Sequence, residues 1–210
     1  MIARILLFTF VLLPNAFAIE NFHEVSPGIY RGARPHLAGL EELGRLGVRT
    51  VINLQGGETE LIQWDTILRW IMPGELPRAI RNERLAVEAR GMKFLNFPMS
   101  AVLQVTPERE INVLAALDAL VDPANHPVFI HCQFGNDRTG LIVALYRVFH
   151  QGWHPDQAHA EMVEKGHSGV TGTVITAAMD EYFFRKTGAL FFSERLSPAH
   201  VGAELRRQAN

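Results

Sequence analysis

The sequence predicts an α/β fold: a short, mostly parallel sheet packed by helices. Short apolar runs of strand type, among them Val51-Ile52-Asn53-Leu54, Phe94-Leu95-Asn96-Phe97 and Val128-Phe129-Ile130, alternate with segments of helical spacing. The last of these runs passes through a tight turn straight into Leu141 to Phe149, an apolar stretch long enough only for a buried helix. A length of 210 residues, 48% apolar and 20% charged, suits one well-filled domain.

The first segment lies outside that domain. One charge at Arg4, an apolar run from Ile5 to Leu13, the break at Pro14 and the Ala16-Phe17-Ala18 pattern read as a signal peptide over residues 1–18. The run is too short to span a bilayer. The expected mature chain starts at Ile19, is exported to the periplasm or beyond, and forms a single domain over 19–210. Losing Arg4 leaves 19 basic residues against 22 acidic ones, a net charge of -3. Nothing in that balance points to nucleic acid, or to a membrane once the signal is removed.

Pro27-Gly28 is a turn between the short strands around Val25 and Ile29-Tyr30. Leu37 to Leu46 has helical spacing, and Gly47 to Leu54 follows as a strand. Residues 58–84 exceed a simple connection and read as a helical insertion beside the site, with Arg78, Arg81 and Arg84 on a solvated face. Another helix ends at Ala89 before Gly91, and Met92 to Met99 alternates as a strand. Thr106-Pro107 is an N-cap followed by proline in the first turn, and that helix runs to about Val121. Pro155 to Lys165 closes at Gly166, Val174 to Lys186 forms a last long helix, and the tail after Pro198 reads as helical.

The chemistry concentrates in His131-Cys132-Gln133-Phe134-Gly135-Asn136-Asp137-Arg138-Thr139-Gly140. A strand, a tight turn and a helix N-terminus make an anion site from backbone N–H groups and the helix dipole. The same field lowers a thiol pKa, so Cys132 is expected as a thiolate. Arg138 can grip two phosphate oxygens in a bidentate fork. The Thr139 hydroxyl can donate to the Cys132 sulfur. Gln133, Phe134, Gly135 and Asn136 form the expected cradle. A thiolate beneath a held phosphate is a nucleophile for phosphoryl transfer. As the sole cysteine, it has no partner to protect it from oxidation.

His-Cys-(five residues)-Arg-Thr-Gly resembles the phosphate-binding loop of the cysteine-dependent protein tyrosine phosphatases. The run from Gly28 to Leu54 is similar to the N-terminal half of atypical dual-specificity phosphatases from bacteria, plants and fungi. The resemblance implies their fold, hydrolysis of a phosphorylated small molecule or phosphoprotein, and a basic Tyr-Arg loop near the site. Arg31 and Arg34, with Lys93, are thus expected to bind substrate. Through the Cys loop, the Thr106-Pro107-Glu108 helix start and the strand before it, the chain also resembles phytase-like members, so inositol polyphosphates are the favoured substrates.

The chain departs from that family at the general acid. Related enzymes supply an aspartate from the loop before the Cys strand, which by resemblance would fall near Ala101; Pro98 to Pro107 holds no carboxylate. Myotubularin-type phosphatases carry an aspartate where Asp137 stands. Asp137 is therefore the expected acid, with Glu108 as a further option; the alternative is that Asp137 pairs with a base and shapes the loop. No metal or other cofactor is expected: His150, His154 and His159 lack metal-ligand spacing and read as surface histidines. The competing function is a phosphate-binding pseudophosphatase, which the intact Cys132 and Arg138 argue against.

Overall fold

The structure is a computed structural model that describes residues 18–56, 75–99, 107–167 and 174–188. The first 17 residues of the signal-type segment, the segment 57–74, the expected acid loop at 100–106 and the C-terminal tail lie outside them. Five strands form one sheet: β1 His23–Ser26, β2 Ile29–Gly32, β3 Thr50–Asn53, β4 Lys93–Asn96 and β5 Val128–His131, in the order β1-β2-β5-β3-β4. Only β1 is antiparallel to its neighbour; β2, β5, β3 and β4 run parallel. The helices are α1 Leu37–Arg45, α2 Glu75–Glu88, α3 Pro107–Val121, α4 Asp137–Gln151, α5 Pro155–Glu164 and α6 Val174–Thr187.

β5 is the centre because its sequence lets it be covered on both faces. All four of its residues are buried, as expected of a parallel strand between two helical layers. Successive side chains point to opposite faces. Phe129 joins Ile19, Leu40, Leu43, Val51 and Val87 on one side. Val128 and Ile130 join Ile52, Leu117, Leu141 and Phe183 on the other. Each such side chain stabilises by about 1.5–3 kcal/mol on burial. Truncating Ile130 to alanine would cost about 2–5 kcal/mol, because both neighbouring layers are already packed.

Two elements differ from expectation in ways that matter for the site. α4 begins at Asp137, before its apolar run, so the Cys loop is shorter and ends inside the helix's first turn. α2 starts within the segment expected as an insertion and belongs to the body of the domain, with Ile80 and Val87 fully buried. Pro77 is tolerated because it sits in the first turn, where its missing N–H has no intrahelical acceptor.

Candidate active site

The parallel strands β2, β5, β3 and β4 share one carboxyl edge, and the site is built there. β5 ends at His131, residues 132–136 turn, and α4 leaves with the Gly140 amide donating to the Asn136 carbonyl at 2.8 Å. The amides of Asp137, Arg138 and Thr139 precede that first helical bond and have no intrahelical acceptor, which is the condition for anion binding.

Gly135 fixes the turn. Its φ is +73°, and a Cβ there would lie 2.4 Å from the carbonyl carbon of Gly32 and 2.7 Å from the amide nitrogen of Ala33. Only glycine lets the loop cross the end of β2 so closely. Arg31 of β2 lies beneath the crossing: its side chain is 2% exposed, and Nη2 donates to the Gly135 carbonyl at 2.6 Å. Burial lowers the guanidinium pKa to about 10, against the opposing pull of Glu161 and Cys132. It stays charged at neutral pH and serves the loop backbone, not a substrate in the mouth.

The Cys132 thiol is 3% exposed. Burial alone would raise its pKa; the Arg138 charge, the Thr139 hydroxyl and the amides of Thr139 and Phe134 outweigh burial and hold it below the ordinary thiol value. The Thr139 hydroxyl is buried without an oxygen or nitrogen partner among the described residues, and it acts on the Cys132 sulfur by favouring the thiolate. The Arg138 guanidinium sits between the ends of β3 and β4, with long contacts to the carbonyls of Leu54 (3.5 Å) and Met99 (3.4 Å). Contacts this weak leave the fork available to a phosphate.

Polar side chains lock the loop from both flanks. At its start, His131 Nε2 lies 2.7 Å from Glu83 Oε1 of α2, Asn53 Nδ2 donates to Glu83 Oε2 at 3.0 Å, and Gln55 Nε2 donates to Gln133 Oε1 at 2.7 Å. The Arg34 amide donates to the Gln133 carbonyl at 3.3 Å, so its backbone adjoins the loop, and Arg34 is partly exposed. Asn136 is tied from outside by Asn21 Nδ2, 2.7 Å from its Oδ1, so its side chain braces the loop. Phe134 is 63% exposed and stands at the mouth.

At the loop's end, Asp137 Oδ1 is 2.7 Å from His167 Nδ1; His167 Nε2 is 2.9 Å from Asp180 Oδ1, which is also 2.9 Å from His159 Nε2. Burial would lower the His167 pKa, but the carboxylates of Asp137 and Asp180 raise it to about 9. Burial pushes the Asp180 carboxyl up, and His159 and His167 bring it down to about 2. At neutral pH His167 is an imidazolium donating to both aspartates. Asp137 Oδ1 is thus engaged by His167 at the start of α4. The pairing matches the alternative of a loop-shaping aspartate.

Lys93 requires the plainest correction. It opens β4 at the sheet's amino edge, opposite the site, and its Nζ donates to Asn125 Oδ1 at 3.0 Å. Glu83 is a site residue absent from the expected set, although Ile80, Glu83 and Val87 share one face by their i, i+3, i+7 spacing, a signal that a carboxylate sits on a buried face. His167 and Asp180 had no comparable signal.

With this geometry in place, comparisons assign the family. A family model described as a DSP-PTPase phosphatase fused to NAD+ kinase matches residues 14–176. The dual specificity protein phosphatase TpbA of Pseudomonas aeruginosa is 30% identical over 146 residues, 70% of this chain and 55% of that protein. Inositol diphosphatase DSP3 of Arabidopsis thaliana is 32% identical over 136 residues, 64% of this chain and 56% of that protein. The chain thus spans about half the length of these curated relatives. The crystal structure of P. aeruginosa TpbA superposes with a TM-score of 0.55 at 25% identity, covering 89% of this chain and 99% of that one. Together with the Cys132–Arg138 loop at the carboxyl edge of the sheet, these matches place the chain in the dual-specificity branch of the cysteine-dependent protein tyrosine phosphatase superfamily.

Proposed function

We propose that the protein is a phosphomonoesterase that works through a phosphocysteine intermediate. The observation that carries this reading is the Cys132 thiol, held below its ordinary pKa at the N-terminus of α4 beneath Arg138. The thiolate attacks phosphorus, the P–O bond to the leaving group breaks, and that oxygen takes up a proton from solvent as it departs. Water then cleaves the S–P bond, giving inorganic phosphate and the free thiol. Arg138 and the first-turn amides hold the three equatorial oxygens throughout. Turnover of para-nitrophenyl phosphate, abolished by Cys132→Ser, tests the reading; a protein that binds phosphate without turnover is a pseudophosphatase.

Substrates in this reading are inositol phosphates or phosphoproteins, the classes named in its relatives. Inositol polyphosphates remain the first choice, supported by the plant inositol diphosphatases among those relatives. Their charge would be met by Arg138 and Arg34, since Arg31 and Lys93 are engaged elsewhere. A second reading, phosphotyrosine, is favoured by the exposed Phe134 ring at the mouth, which offers a face for an aromatic leaving group. The ratio of kcat/KM for an inositol polyphosphate and a phosphotyrosine peptide separates the two. Export is the companion proposal: Ile19, the residue expected to open the mature chain, is buried in the core. The N-terminal mass of the periplasmic protein tests it.

A further inference from the structure

We propose that His159, His167 and Asp180 form a binding site for a divalent transition metal of the zinc type, behind the N-terminus of α4. The ligand atoms of the three side chains all lie within 4.8 Å of one another, and both imidazole Nε2 atoms lie 2.9 Å from the same oxygen, Asp180 Oδ1. Zinc bonds of about 2.0–2.2 Å to nitrogen and oxygen require ligand atoms roughly 3.3 Å apart in a tetrahedron. Small side-chain rotations therefore convert the hydrogen-bonded triad into a coordination triad.

Two further observations point to a ligand. Asp180 Oδ2 is buried and has no hydrogen-bond partner among the described residues, and a buried carboxylate oxygen left unpaired is costly. The outer ring nitrogen of His167 is already held: Nδ1 faces Asp137 Oδ1 at 2.7 Å. A carboxylate on the far nitrogen of a ligating histidine is the usual way a protein fixes the tautomer and orientation of a zinc ligand. Two imidazoles and one carboxylate favour zinc, cobalt or nickel over magnesium or calcium, which take oxygen ligands.

The charges balance without other groups. In the metal-free form both ring nitrogens of His167 face carboxylate oxygens, Nδ1 at 2.7 Å and Nε2 at 2.9 Å, so each carries a proton. The metal takes the place of the Nε2 proton of His167, which is released to solvent. His159 shifts its Nε2 proton to Nδ1, and the Nδ1–H of His167 keeps donating to Asp137 Oδ1. The His167 and Asp180 side chains are 0% and 1% exposed and that of His159 is 23% exposed, so the ion and a completing water approach from the His159 side. The pair Asp137–His167 then links metal occupancy to the residue directly before Arg138.

Calorimetric titration of the full chain with zinc chloride tests this. Cys132→Ser serves as background so that the thiol cannot report. One zinc per chain is expected, with no heat from magnesium, and cobalt is expected to give visible absorption bands of low coordination number. His159→Ala, at the partly exposed ligand, is expected to weaken zinc at least tenfold; Asp180→Asn likewise. Asp137→Asn, which disturbs only the outer partner, is expected to weaken it about 10–100-fold. Absence of stoichiometric zinc overturns the proposal. So does an affinity unchanged by His159→Ala, which would put the ion on other histidines. If Asp180→Asn does not fold, His159→Ala decides alone.

Discussion

The two flanks of the catalytic loop are held in opposite ways. At its start, Glu83, His131 and Asn53 form a compact knot with Glu83 and His131 side chains 4% and 0% exposed. At its end, Asp137 is 29% exposed and opens a longer chain of alternating charge through His167 and Asp180 to His159. The first flank is dry and short, so it resembles a core contact made with polar atoms. The second reaches solvent at both ends, so it can exchange protons. The nucleophile lies between them, next in sequence to the dry flank, and Arg138 follows directly on the wet one.

The largest effect lies between the flanks. Cys132→Ser is expected to abolish turnover while leaving phosphate affinity near wild type, since the loop amides and Arg138 remain; phosphate titration beside a turnover assay reads both. Next is the dry flank. Glu83→Ala leaves buried His131 and Asn53 without their carboxylate partner and is expected to cost about 1–3 kcal/mol, read from urea unfolding. If that loss is no greater than the loss for Asp137→Ala, the contrast between a buried and a solvated flank is wrong.

The wet flank gives smaller, more selective effects. Asp137→Asn is expected to reduce turnover of alkyl phosphates and of para-nitrophenyl phosphate by the same factor, because Asp137 positions the loop. A loss of roughly 10²–10⁴ confined to alkyl phosphates would restore it as the general acid, since a poor leaving group needs the proton and nitrophenolate does not. Smallest is a pH effect on stability. The folded pKa of His167, about 9, lies above its unfolded value, so its stabilisation is complete below about pH 6.5 and is lost as pH rises through 9. Asp180, at about 2, runs the other way: its contribution is present above about pH 3.8 and is lost as pH falls towards 2. The stability gap between wild type and Asp137→Asn should therefore narrow from pH 6.5 to 9. A gap that stays constant across that range would mean His167 does not titrate with Asp137.

Local sequence made much of this legible. The burial of Val128 to Ile130, the turn at Gly135 and the sequence of Cys132, Arg138 and Thr139 all belong to one continuous segment, where spacing alone dictates which groups meet. The start of α3 at Pro107 and the left-handed residue at Gly166 after α5 were readable for the same reason. The assignments of Arg31 and Lys93 were not readable, because a basic residue type says neither whether its side chain turns inward to the loop backbone, as Arg31 does, nor which edge of the sheet it reaches, as with Lys93. Lys93 lies one β4 length from the carboxyl edge, roughly 10 Å at about 3.3 Å per residue, and strand direction put it on the wrong side.

The nucleophile, its arginine and the anion-binding turn are encoded locally, because a strand–loop–helix unit builds its own site from neighbours in the chain. What supports that unit comes from residues distant in the chain. Arg31 reaches Gly135 across 104 positions, Asn21 reaches Asn136 across 115, and His167 joins Asp137 from 30 residues on. Such contacts depend on which strands lie side by side and on how α4, α5 and α6 pack. Those are global outcomes of burying two apolar layers against one sheet, and no local pattern of residue types encodes them.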